Sequence, residues 1–150
     1  MASQKEIIEN LIKSYWMEIE TVINYISNSV NLDGVRAEEI KKSLAVDVME
    51  EITHAQMLAK RIKQLGGLVP GSMDFKPSQK NLQTKKDTTD VVSIIEGVIK
   101  AEDGAVVQYN KLIKLCDGVD YVTQDICVNL LGMEESHRVE FRGYLKEYKK

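Results

Sequence analysis

The chain contains two histidines, and each follows a glutamate by three residues, in Glu51-Ile-Thr-His54 and Glu134-Glu-Ser-His137. On a helix, residues three apart share a face, so each pair offers a carboxylate oxygen and an imidazole nitrogen to one point. Both motifs fall inside apolar stripes with a helical period. A fold for this chain must therefore bury charged and imidazole groups in its core and find partners for them, and that requirement narrows the choice sharply.

Ser3 and Glu6 have the spacing of a capping box, and apolar residues then recur at Ile8, Leu11, Tyr15, Val22 and Tyr25. They predict a first helix over about residues 4–30, with Glu18 as the misfit in its core stripe. A second helix over about residues 36–66 carries Ile40, Leu44, Val48, Leu58, Ile62 and Leu65, and stops at Gly66-Gly67. From Leu68 to Asp87 the periodicity disappears, with Pro70 and Pro77 in a polar stretch. A loop of this length needs a reason, and a crossover running the length of a helical bundle supplies one. The third helix is expected over about residues 88–117, through Ile95, Val98, Ala105, Tyr109, Leu112 and Cys116, with Glu102 as its misfit. Asp120 is the expected N-cap of a fourth helix reaching about residue 147 through Ile126, Leu130, Phe141 and Leu145. No period of two occurs, so no sheet is expected.

The two halves repeat. Glu18 precedes Tyr25 by seven residues and Glu102 precedes Tyr109 by seven; Glu18 to Glu51 spans 33 residues and Glu102 to Glu134 spans 32. The fold class is accordingly all-α, an antiparallel four-helix bundle of two hairpins joined by a long crossover, in a single domain over residues 1–150. In that arrangement Glu18, Glu51, His54, Glu102, Glu134 and His137 meet at mid-bundle.

Four carboxylates on core stripes cost several kcal/mol each, to order of magnitude, if unpaired. Two divalent cations would neutralise them. Carboxylate and imidazole donors suit iron, with manganese or zinc as substitutes. Glu51 and Glu134 are the expected bridging ligands, Glu18 and Glu102 the terminal ones, with His54 and His137 one per metal. Tyr25 and Tyr109 read as core residues with bonded hydroxyls. Asp47 and Glu50, just before the motif, read as ordinary helix-surface charge in preference to a cation relay.

A formal charge of −3 and a pI near 5.5 argue against a nucleic-acid partner, which needs clustered Lys and Arg. No apolar run approaches the roughly 20 residues of a membrane span, and the N-terminus lacks a signal-peptide layout. No membrane association and a cytoplasmic location are expected. Cys116 and Cys127 read as buried free thiols, their phases placing them at heights too different for an intrachain bridge.

The six-residue set resembles the di-iron ligands of the ferritin-like superfamily across all four helices. The run from His54 to Gly67 is similar to the end of the second helix in bacterioferritins and bacterioferritin-like Dps-like proteins. The third helix and the turn through Asp120-Tyr-Val-Thr123 look closest to the Dps-like group. The resemblance implies a ferroxidase and iron-storage protein, oxidising Fe(II) with peroxide or dioxygen at a centre within each chain of a homo-oligomeric shell. Bacterioferritins carry a haem-ligating Met after the bridging Glu, where this chain has Ile52, so no haem is expected. The chain ends 13 residues after His137, so no fifth helix is expected, and a dodecameric shell is preferred to 24 subunits, with a dimer as the smaller alternative. One member of a Dps-like cysteine pair matches Cys116, while the other slot is Gly104. Two competing readings are a rubrerythrin-like di-iron peroxidase or oxidase without mineral storage, and a non-catalytic helical scaffold. The first lacks a Cys-x-x-Cys electron-transfer module here.

Overall fold

The computed structural model describes all 150 residues and contains four long helices and no strand. These are α1 (Gln4–Asn31), α2 (Glu38–Gln64), α3 (Val91–Cys116) and α4 (Tyr121–Tyr148), with single 3₁₀ turns at Val35–Ala37, Ser72–Asp74 and Lys80–Leu82. The helix ends follow from local chemistry. The Ser3 hydroxyl accepts from the Glu6 amide, and the Asp120 carboxylate accepts from the Thr123 amide, each relieving an orphan donor of a first turn. At the end of α2, Gly66 adopts φ +86 and the Gly67 amide reaches back to the Ile62 carbonyl, a closure that favours a residue without Cβ.

Two expected boundaries move. The second helix begins at Glu38, because Val35–Ala37 winds as a 3₁₀ turn. The third begins at Val91, because Asp87 accepts from both the amide and the hydroxyl of Thr89, holding a turn, and Asp90 caps the helix at Ser93. In α1 the expected stripe holds at Leu11 and Tyr25, while Ile7 is buried and Ile8 only partly so.

The α1–α2 and α3–α4 hairpins pair closely, while α2 and α4 approach each other at few points. The crossover from Leu65 to Asp90 joins the hairpins and is fastened to α1 by polar groups. Buried Glu20 accepts from the amides of Ser78 and Gln79 at 2.8–3.0 Å, and Asn28 donates to the Leu82 carbonyl. The crossover also lies on α3 at Gly97, where a Cβ would run into the carbonyl of Asn81.

The apolar core is divided. One cluster gathers Tyr25, Ile40, Leu44, Ile94, Val98 and Phe141 among others. The second gathers Leu11, Leu58, Ile62, Tyr109, Leu112, Cys116, Cys127 and Leu130. Both cysteines are free and buried, and burial raises their thiols to about 11 and about 12. Between the two clusters lies the layer of acidic and imidazole side chains.

Candidate metal centre

Each helix contributes to this layer from its middle: Glu18 from α1, Glu51 and His54 from α2, Glu102 from α3, Glu134 and His137 from α4. All six are buried. They form two overlapping groups, Glu18 with Glu51, His54 and Glu134, and Glu51 with Glu102, Glu134 and His137. Within each group one ligand atom per residue lies within 4.8 Å of the others. Glu51 and Glu134 belong to both groups, and each group has one histidine.

His54 Nδ1 lies 3.0 Å from Glu134 Oε1, 3.5 Å from Glu51 Oε2 and 3.6 Å from Glu18 Oε2. His137 Nδ1 lies 3.4 Å from Glu51 Oε1, 3.8 Å from Glu102 Oε1 and 4.0 Å from Glu134 Oε2. The two tyrosines are exchanged between hairpins. Tyr109 donates to Glu18 Oε1 at 2.6 Å and Tyr25 donates to Glu102 Oε1 at 2.7 Å. Each fixes one oxygen of a carboxylate and leaves the other directed into the layer.

Those other oxygens lack partners. Glu18 Oε2, Glu51 Oε1, Glu102 Oε2 and His137 Nδ1 are buried with no hydrogen bond. Orphaned buried acceptors are rare in folded proteins, and their convergence fits a pair of divalent cations bound by oxygen and imidazole nitrogen. The protonation pattern of the metal-free layer agrees. Burial raises Glu134 well above the usual carboxyl range, helped by the neighbouring carboxylates of Glu102 and Glu51. Burial likewise raises Glu102. Glu51 is lowered despite burial, because the imidazoles of His137 and His54 lie beside its carboxylate. Burial pulls His137 down, but Glu51, Asp47 and Glu102 outweigh it and lift the imidazole to about 10. Protons on this layer thus supply positive charge among its carboxylates.

Two further residues join the site. Asp47, read from sequence as surface charge, is only 5% exposed; its Oδ1 lies 3.7 Å from His137 Nε2 and its Oδ2 has no partner. Burial raises its carboxyl to about 6. Glu50, which is exposed, meets the same imidazole nitrogen. Asp47 thus faces His137 across the gap between α2 and α4. A cavity of about 580 Å³ occupies this gap, lined by Asp47, Glu50, His54, Met57, Met133 and His137 among others. It leads from the surface to both histidines.

A family model for the ferritin-like domain matches residues 8–150. The chain belongs to the ferritin-like domain family. Among curated relatives of this ferritin-like protein, a bacterioferritin of Desulfovibrio desulfuricans is 27% identical over 134 residues, covering 88% of this chain and 70% of the relative. A DNA protection during starvation protein of Pyrococcus furiosus is 26% identical over 144 residues, covering 94% and 77%. Among solved structures, a dodecameric thioferritin of Bacteroides fragilis superposes with a TM-score of 0.84 at 22% identity, over 99% of this chain and 89% of the other. A ferritin-like di-iron-carboxylate protein of Bacillus anthracis gives 0.84 at 22% identity, over 97% and 99%. These likenesses carry the fold, a ferritin-like four-helix bundle.

Proposed function

We propose that this ferritin-like protein is a ferroxidase that oxidises Fe(II) with peroxide or dioxygen at a di-iron centre within each chain, and stores the oxidised iron in a homo-oligomeric shell. The observation that supports this most is the membership of Glu51 and Glu134 in both four-residue groups, which suits carboxylates that bridge two cations. Glu18 and Glu102 are then terminal ligands, and His54 and His137 hold one iron each. Manganese or zinc would take the same donors. Iron held by these residues would supply one electron per metal to the oxidant.

The chain's own groups prepare that site. Tyr109 and Tyr25 hold the terminal carboxylates in orientation. Fe(II) reaches the layer through the cavity between α2 and α4, where Asp47 and Glu50 provide negative charge and keep the His137 ring turned toward Glu51. Cations held there would compete with protons at Glu134 and His137, both of which are raised from their usual ranges. The iron-storage role calls for a closed assembly, and a dodecamer is proposed, with the cytoplasm as its compartment.

Size determination before and after aerobic Fe(II) loading, with iron counted per assembly, tests this reading. A shell that accumulates many irons per chain is the expected result. A dimer that stops near two irons per chain would replace storage with turnover, and a chain that binds no iron would remove the ferroxidase.

A further inference from the structure

His54 and His137 both turn Nδ1 toward the carboxylate layer, yet their outer nitrogens meet different chemistry. His137 Nε2 meets the carboxylates of Glu50 and Asp47. His54 Nε2 lies 3.0 Å from the sulfur of Met133. A thioether is a weak acceptor, whereas the outer N–H of a metal-bound imidazole is ordinarily given to a carboxylate, a carbonyl or water. Met133 is also 47% exposed. With Met57 it lines the cavity of about 580 Å³ that leads to both histidines. Its side chain therefore borders a cavity open to small solutes while its sulfur touches the ring of a candidate ligand.

We propose that Met133 is a peroxide-oxidised modification site whose sulfoxide tightens the hydrogen bond to His54. A sulfur lone pair attacks one oxygen of hydrogen peroxide, and the S–O bond forms as the O–O bond breaks. The proton on the transferred oxygen passes to the departing hydroxide, which leaves as water. Sulfur loses two electrons and peroxide gains them. The product oxygen is a strong acceptor where the thioether was a weak one; it favours the ring proton on Nε2 and leaves Nδ1 the more basic, ligating nitrogen. Methionine sulfoxide is enzymatically reducible, so the change is reversible. The effect on iron affinity rests on the di-iron reading; the oxidation and the altered hydrogen bond do not.

The test uses the metal-free full chain, hydrogen peroxide as the probe, peptide mass spectrometry and nitrogen–proton NMR of the two imidazoles. Met133 should gain one oxygen at a rate within about tenfold of the fully exposed Met1 and Met73, and the His54 ring-nitrogen signal should move in step, toward a protonated Nε2. Met133→Leu, with unchanged helix content and its other methionines still oxidised, should leave that signal fixed. Anaerobic Fe(II) affinity should rise about tenfold on oxidation of the wild type and stay constant in the variant. A Met133 that stays reduced when Met1 and Met73 are fully oxidised overturns the proposal, as does a His54 signal that oxidation of Met133 in the wild type leaves in place. A moved signal in a protein that binds no Fe(II) upholds the modification and removes the di-iron reading. Two Fe(II) per chain with an unmoved signal does the reverse.

Discussion

Tyr109 on α3 donates its hydroxyl to Glu18 on α1 at 2.6 Å, and Tyr25 on α1 donates to Glu102 on α3 at 2.7 Å. Each hairpin thus orients a carboxylate of the other through a fully buried phenol. Tyr109→Phe strips Glu18 of its one donor, a loss of about 1–3 kcal/mol for a buried acceptor left unpaired. Its expected effect on Fe(II) affinity is a fall of about tenfold, measured by anaerobic titration with Tyr25→Phe as the matched variant. Wild-type affinity in both would show that the phenols serve packing alone.

Glu134→Gln and His137→Ala should separate stability from metal binding. Glu134 is raised well above the usual carboxyl range, so an amide imitates the neutral acid and still donates toward Glu102. Its metal-free Tm should match or exceed the wild type, while the gain in Tm on metal addition is lost. His137→Ala removes the cation that faces Glu51, Asp47 and Glu102, so its metal-free Tm should fall. Both variants should lose rapid Fe(II) oxidation while circular dichroism shows the helices intact.

The metal-free protein should lose stability as pH rises. His137 is raised from 6.5 to about 10; its contribution is complete below 6.5 and lost as pH passes about 10. Asp47 is raised from 3.8 to about 6, so the folded state again binds the extra proton, and its contribution fades as pH climbs through about 6. Glu134 shifts in the same direction. Thermal melts in chelator should show Tm falling from about pH 6 toward about pH 10, and saturating Mn(II) should reverse the slope because the metal replaces the protons. A metal-free Tm that rises over this interval would contradict the charge assignment.

Gly97→Ala places a methyl group against the Asn81 carbonyl, backbone that Asn28 and Glu20 hold in place nearby. A destabilisation of about 1–3 kcal/mol is expected from overpacking. Chemical denaturation measures it, and proteolysis should show cleavage focused on the crossover. A neutral result would mean that the crossover rides more loosely on α3.

The four helices were legible because their apolar residues recur with a helical period and their ends carry Ser3, Gly66 and Asp120 as punctuation. The convergence of Glu18, Glu51, His54, Glu102, Glu134 and His137 was legible because acidic misfits interrupt those stripes at repeating intervals. Asp47 reads from sequence as surface charge but is buried facing His137 on α4, a property of packing that no local pattern carries. Glu20 and Met133 had no signal at all. Glu20 acts on crossover residues 58 and 59 positions away, and Met133 meets His54 79 positions away. The one-residue error at Ile7 and Ile8 has a simpler cause: adjacent isoleucines leave the phase of a helix undetermined until its neighbours are in place.

Anaerobic Fe(II) titration of the metal-free chain tests the paired centre most directly. The two overlapping groups sharing Glu51 and Glu134 predict a high-affinity phase that saturates at two Fe(II) per chain, with protons released as Glu134 and His137 yield to the metal. Saturation at one Fe(II) per chain, or no high-affinity phase, would contradict it.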